Sequence, residues 1–236
     1  MADPVAESVL RPENIEKNTR RDGAPHSVTE FNPGSTALMV IDMQNFYMVE
    51  GQMSFCPPAL PIVPTVNKLV RAMRGYGSPI IWVRNVTNKE AFTTWSTHYG
   101  RMKPEIVDAR KRELAKDSDG FKLFPELDAR RDDLRVNKTR YSAFIEGASN
   151  ITHVLETHGI DTLVFCGIVT NVCVESTARD AMMLNYRTLI VEDACAANTL
   201  SAHTETLNVF YTNFGDVQLS DEVIAYLGTN KAAAAE

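Results

Sequence analysis

Three side chains of complementary chemistry stand at the ends of three separate apolar stretches. Asp42 follows the run 37–41, Lys138 closes the run 134–138, and Cys173 lies six residues beyond the run 163–167. A carboxylate can take a proton, an ammonium can steady an anion, and a thiolate can attack a carbonyl. Each residue also has a plain alternative. Asp42 can cap the turn after it, and Lys138 can be a solvated charge. Cys173 can be a small core residue, as Cys166 inside the strand is taken to be. The position of Cys173 favours reactivity. The stretch 163–166 reads as a buried strand stopped by Gly167, and Thr170 or Asn171 is a good helix N-cap. The thiol then falls in a first helical turn, where unpaired N–H groups and the helix dipole favour a thiolate.

These positions meet if the elements alternate as strands and helices. Strands are expected over 37–41, 79–83, 134–138, 163–167, 187–193 and 217–219. Apolar residues at Val63, Val66, Leu69, Val70 and Met73 mark a helix over 63–74, and further helices are expected over 147–158, from Asn171 to Leu184, 199–211 and 220–227. The pattern implies one α/β domain, a doubly wound, Rossmann-like, parallel six-stranded sheet flanked by helices. In such a sheet ligands bind at the carboxyl ends of central strands, which would bring Asp42, Lys138 and Cys173 into one crevice. No histidine follows these strands, which weakens a papain-type reading.

Composition narrows the function classes. A 236-residue chain with 44% hydrophobic and 23% charged residues suits a soluble globular domain with a large core. A net charge of −6 argues against a nucleic-acid or anionic-membrane surface. No apolar run can span a bilayer, and the N-terminal 21 residues lack the apolar core of a secretory signal. Cys56, Cys166, Cys173 and Cys195 form no C-x-x-C pair and suit a reducing cytoplasm, and the five histidines show no metal-ligand spacing. Residues 1–34 carry mixed charge without periodicity. They are expected to form an extended arm, partly disordered or packed on a neighbouring subunit. Residues 229–236 are expected to be a frayed tail.

Two segments can shape a pocket. Residues 44–64 form a proline-rich loop with Phe46, Tyr47 and Phe55 available to line it. Residues 86–132 contain a polar, aromatic stretch, 93–99, readable as a lid or a surface loop, and a charged stretch, 103–116, readable as a short solvated helix. Tyr47, Asn85, Trp95 and Tyr141 are candidate substrate contacts, with core packing or a solvent-facing rim as their alternative. Arg84 and Arg140 are candidates for holding one carboxylate.

The chain resembles the isochorismatase-like cysteine hydrolases over residues 35–227. The resemblance rests on Val40-Ile41-Asp42-Met43-Gln44-Asn45-Phe46, on Lys138 with Tyr141-Ser142-Ala143-Phe144, and on the stretch from Gly167 to Thr177, including Thr170-Asn171-Val172-Cys173-Val174-Glu175-Ser176-Thr177. Within that family it looks most like the ureidoacrylate and N-carbamoyl amidohydrolase branch. The resemblance implies a hydrolase domain over 35–228, a catalytic triad of Asp42, Lys138 and Cys173, and a cis peptide between Ile168 and Val169. It also implies an oxyanion hole made by the backbone N–H groups of Val169 and Cys173. The expected reaction is hydrolysis of a small amide, ureido or carbamoyl compound through a thioester, in a homodimer or homotetramer. No metal and no cofactor are expected. The metal-binding set of the nicotinamidase branch finds no histidine within 43–61 and no Asp-x-His within 82–90. Two other readings stay open: a vinyl-ether hydrolase using Asp42 as acid, and a catalytically idle oligomer that binds a small molecule or a partner.

Overall fold

Strands without polar alternation can be buried on both faces, and in the computed structural model, which describes residues 7–233, two central strands are. Every residue of β1 (Thr36–Ile41) is buried. The remaining strands are β2 (Ile80–Asn85), β3 (Leu134–Lys138), β4 (Thr162–Ile168), β5 (Arg187–Ala196) and β6 (Asp216–Gln218), and β4 is buried along its whole length too. The sheet is parallel throughout, in the order β3-β2-β1-β4-β5-β6. The chain winds outward from β1 to β3 and then returns to lay β4 on the other side of β1. The switch point therefore lies between β1 and β4.

Ten α-helices among the described residues surround the sheet: α1 (Pro12–Asp22), α2 (Asn45–Met48), α3 (Val63–Tyr76), α4 (Lys89–Thr94), α5 (Ser96–Gly100), α6 (Pro104–Glu113), α7 (Ile151–Thr157), α8 (Glu175–Met183), α9 (Leu200–Asn213) and α10 (Ser220–Ala233). α3 buries Val63, Val66, Leu69, Val70 and Met73, the stripe its 3.6-residue period dictates, and packs on α10. Among the described residues no helix is long and apolar enough to cross a membrane.

β1 and β4 approach closely because Gly167 has no side chain. Its φ is +109°, and a Cβ there would lie 2.3 Å from the Ile41 carbonyl oxygen. This contact sets the spacing of the two strands at the switch point, beside the residue that precedes Asp42 and six residues before Cys173.

The N-terminal segment differs from the expected extended arm. Pro12 at the first helical position and Gly23 in the left-handed conformation bound α1, a helix lying on α9 of the same chain. Its docking is polar, which is why apolar periodicity does not reveal it. The buried Asn18 donates to the Tyr211 carbonyl at 2.8 Å, and Asn14 donates to Asn208 Oδ1 at 2.8 Å. Just before α1, the Ser8 hydroxyl and the Val9 N–H donate to the carboxylate of Glu192 on β5. At the other end α10 continues to Ala233, beyond the expected stop at Leu227. Residues 1–6 of the arm and 234–236 of the expected tail lie outside the described residues.

The segment 86–132 is held by backbone pairing beneath the loop after β1. Phe46 N–H donates to the Gly120 carbonyl, Asn45 N–H to that of Lys122, and Phe124 N–H to that of Met43. Gly120 permits the approach, since a Cβ there would meet the Glu113 carbonyl oxygen at 2.3 Å.

Two measurements test these contacts. Gly167→Ala adds both a disallowed φ and a backbone clash, and should lower stability by about 3 kcal/mol or more. The urea midpoint reports it, and an unchanged midpoint would contradict the close approach of β1 and β4. Burial raises the pKa of Glu192 from 4.5 to about 7, against the hydrogen bonds from Ser8 and Val9. The folded chain then binds more protons than the unfolded one between pH 4.5 and 7. Stability should therefore decline with rising pH across that window, by on the order of 3 kcal/mol from this group. Glu192→Gln should flatten the decline in urea melts run across the window; an equally steep decline in the variant would rule Glu192 out.

Candidate active site

The carboxyl end of β1 turns sharply. Asp42 adopts φ +53°, a strained conformation for a residue with a side chain. Its N–H still donates to the Val83 carbonyl at 2.8 Å, so the strand ladder reaches Asp42 before the chain turns away. Lys138, the last residue of β3, reaches across the end of β2 and donates from Nζ to Asp42 Oδ2 at 2.7 Å and to the Arg140 carbonyl at 3.1 Å. Asp42 is 2% exposed, at the wall of a cavity, and Lys138 0%, so the pair is almost wholly removed from bulk solvent. Burial pulls the Lys138 ammonium down. Asp42 and Cys173 outweigh it, and its pKa is raised, which keeps the side chain charged. Asp42 Oδ1 is buried without a hydrogen-bond partner, leaving it free to accept a proton.

Cys173 reaches the pair from β4. The Ile168–Val169 peptide is cis. The chain then makes one π-helical turn, Thr170–Val174, before α8. The expected N-cap is not there: Val169 precedes the turn with no side-chain cap, and the Thr170 hydroxyl pairs instead with His203 Nδ1 at 2.9 Å. The expectation of a thiol acidified by a helix dipole also fails. Burial pushes the Cys173 pKa up to about 12, with Asp42 adding to the rise and Lys138 opposing it. Desolvation of a nearly enclosed sulfur outweighs the field of a single turn. The resting site thus holds a thiol, a carboxylate and an ammonium in contact.

Asp42 and Cys173 face a cavity of about 390 Å³, with the fully buried Lys138 not part of its lining; the other lining residues are Tyr47, Met53, Ser54, Phe55, Asn85, Arg110, Tyr141, Ile168, Val169, Val172 and Asn198. Of the expected contacts, Tyr47, Asn85 and Tyr141 are among these. Trp95 is not. It stacks on His98 at 3.8 Å, meets Tyr141 edge-on at 5.0 Å, and lines a separate groove behind Tyr141. Phe46 is fully buried behind the cavity rather than facing it. Arg84 and Arg140 also fall outside: Arg84 lies over the Phe121 ring at 4.4 Å, and Arg140 over Trp95 at 5.1 Å. Asn85 is held by Gln44, whose fully buried amide accepts from Asn85 N–H at 2.6 Å and donates to the Asn85 carbonyl at 3.0 Å.

Arg110 is the principal residue that sequence reading missed, since 103–116 is expected there to be a solvated helix. The signal was spacing. Ile106, Val107 and Leu114 stand three or four residues from Arg110, on the half-buried to buried face of α6 and the residue beyond it. Asn198 and Met53, by contrast, lie in loops where no periodicity marks them. Among the described residues, no group of three His, Cys, Asp or Glu side chains converges to hold a metal.

Residues 36–222 match the isochorismatase domain family. The chain belongs to that family. Among its relatives is the ureidoacrylate amidohydrolase RutB of Klebsiella variicola, 37% identical over 186 residues, covering 72% of this chain and 76% of RutB. Among solved structures of the fold, a cysteine hydrolase from Pseudomonas syringae pv. phaseolicola superposes with a TM-score of 0.76 at 26% identity, over 85% of this chain and 95% of that one. N-carbamoylsarcosine amidase from Thermoplasma acidophilum superposes with a TM-score of 0.63 at 29% identity, over 79% of this chain and 97% of that one.

The electrostatics of the site give an ordering that can be measured. Asp42 holds the Cys173 proton on, and Lys138 pulls it off. Iodoacetamide alkylation of Cys173 at neutral pH, read by peptide mass spectrometry, should be faster than wild type in Asp42→Asn and slower in Lys138→Met. The reverse order would overturn the assignment of these opposing fields.

Proposed function

We propose that this protein is a cysteine-dependent amidohydrolase that cleaves a small linear amide, ureido or carbamoyl compound through a thioester. The observation that carries the reading is the meeting of Asp42, Lys138 and Cys173, brought together from beyond three strand ends, with Asp42 and Cys173 lining one cavity. The names of RutB and of N-carbamoylsarcosine amidase, which denote ureido and carbamoyl chemistry for those proteins, support it.

The geometry supplies a sequence of steps. Substrate enters with its carbonyl carbon beside Cys173 Sγ. Lys138 occupies Asp42 Oδ2, so Oδ1 takes the thiol proton while the ammonium stays charged and steadies the new thiolate. Sulfur attacks the carbonyl, and the backbone N–H groups of Val169 and Cys173 receive the developing oxyanion. Protonated Asp42 returns its proton to the leaving nitrogen, and ammonia or an amine departs as the C–N bond breaks. Water, deprotonated by Asp42, then attacks the thioester carbonyl, and the sulfur leaves and recovers a proton as thiol. A thiol that is neutral at rest suits this scheme, because one transfer turns the thiol into the nucleophile and Asp42 into the acid that later protonates the leaving nitrogen.

An ammonia-release assay over a panel of amides and ureido acids tests the proposal. Cys173→Ser should lower kcat by about a thousandfold or more on any compound the wild type cleaves. A mass increment on Cys173 should appear in the quenched enzyme. Full turnover by Cys173→Ser, whether of an amide or of a vinyl ether with Asp42 as acid, would sink the thioester mechanism.

A further inference from the structure

Val169 and Cys173 lie in a turn that is tied sideways to the rest of the molecule at one hydroxyl. The Val169 carbonyl accepts from the N–H groups of Val172 at 3.1 Å and Val174 at 3.3 Å, so residues 169–174 form one unit between β4 and α8. No side chain caps that unit. Apart from Cys173 itself, Thr170 is the residue of the turn, among the described residues, whose side chain hydrogen-bonds to another element. Thr170 is fully buried, and its hydroxyl meets Nδ1 of His203 on α9 at 2.9 Å.

The helix holds His203 in place for this contact. Thr199 caps α9 by accepting from the Ala202 N–H at 3.2 Å, and the His203 N–H donates to the Thr199 carbonyl at 3.2 Å. Farther along α9, Asn208 accepts from the Arg11 N–H at 2.9 Å and donates to the Val9 carbonyl at 3.0 Å, which fixes the helix from the N-terminal segment as well. Burial lowers the His203 pKa, so near pH 7 the ring is neutral and has a nitrogen able to accept the Thr170 proton. His203 does not line the cavity that Cys173 faces. It lines a separate groove with Pro58, Ile62 and Leu200, so its route to the site runs through Thr170.

We propose that His203 is a positioning residue: through the Thr170 hydroxyl it sets the turn so that the Val169 and Cys173 N–H groups point at one place in the cavity. This rests on the amidohydrolase reading, which gives those two groups the oxyanion to hold. Without His203 a fully buried hydroxyl loses its partner, and the turn rotates to find another. A hydrogen bond to an oxyanion is steep in distance and angle. A rotation that leaves the thiol beside Asp42 and Lys138 therefore still weakens it.

Two reagents separate this role from general damage to the turn. Iodoacetamide alkylates Cys173 by displacing iodide at a saturated carbon, which uses the thiol and the ion pair and puts no charge on a carbonyl oxygen. Propanal adds reversibly: the S–C bond forms, the carbonyl π pair moves to oxygen, and the thiol proton passes to Asp42, leaving an oxyanion before the two N–H groups. Its affinity is read as protection of Cys173 from iodoacetamide, by peptide mass spectrometry. His203→Leu should weaken propanal by about tenfold or more and leave alkylation without propanal within about twofold of wild type. His203→Asn, whose side-chain oxygen can stand where Nδ1 stood, should recover most of the affinity. Thr170→Val should match His203→Leu, and the double variant should be no worse than either, since both changes remove one bond. Wild-type affinity for propanal in His203→Leu overturns the proposal, as do parallel losses of propanal affinity and alkylation, or losses that add in the double variant. The hydrolase reading fails separately: a His203 effect on propanal with no Cys173-dependent ammonia release from any amide leaves the anchor standing and removes the reaction. Wild-type protein that propanal does not protect loses both.

Discussion

Lys138 Nζ and Asp42 Oδ2 meet at 2.7 Å with both side chains almost wholly removed from bulk solvent. Removing two such charges from solvent costs several kcal/mol per ion, and their attraction offsets this only while both partners remain in place. Stability alone would be served as well by two apolar side chains. What the pair supplies is a fixed field at the mouth of the sheet, negative and positive joined by one hydrogen bond, against which a third group can exchange a proton. Cys173 is that group. Its own burial holds it neutral, with Asp42 adding to that effect and Lys138 opposing it.

The arrangement divides labour between two parts of the chain. The parallel sheet places the three contacting groups: β1 brings Asp42, β3 brings Lys138, and the turn after β4 brings Cys173. These positions are rigid because the strands behind them are packed into one continuous hydrogen-bonded ladder. The far wall of the cavity comes from elsewhere. Arg110 rides on α6, and that segment is fastened through backbone bonds to the same loop after β1 that carries Tyr47. The two walls of the cavity are thus joined at one loop but built from different elements.

Some of this was legible in the residues and some was not, for identifiable reasons. Continuous apolar runs announce buried parallel strands, so β1 and β4 and the residues that follow them could be read directly, and the short alternating run of β3 pointed to Lys138. The amphipathic α3 was equally plain. α1 was not, because it docks through Asn14 and Asn18 rather than through an apolar stripe. Trp95 looked like a substrate contact on residue type, yet stacking on His98 draws it into the wall behind Tyr141. Arg110 looked like one charge among many in a basic helix. The cap expected at Thr170 or Asn171 gave way to a bond between Thr170 and His203, far along the chain on α9.

The order of strands and helices, and the identity of the three residues at the strand ends, are properties of local pattern. Hydrophobic burial acts on every stretch in the same way, and its period is written along the chain. Which side chains face the cavity, which thiol keeps its proton and which arginine stands without a carboxylate beside it are decided elsewhere. They depend on distances between residues far apart in sequence and on how much water remains around each. Electrostatic energies depend on both. Neither quantity exists until the chain has folded.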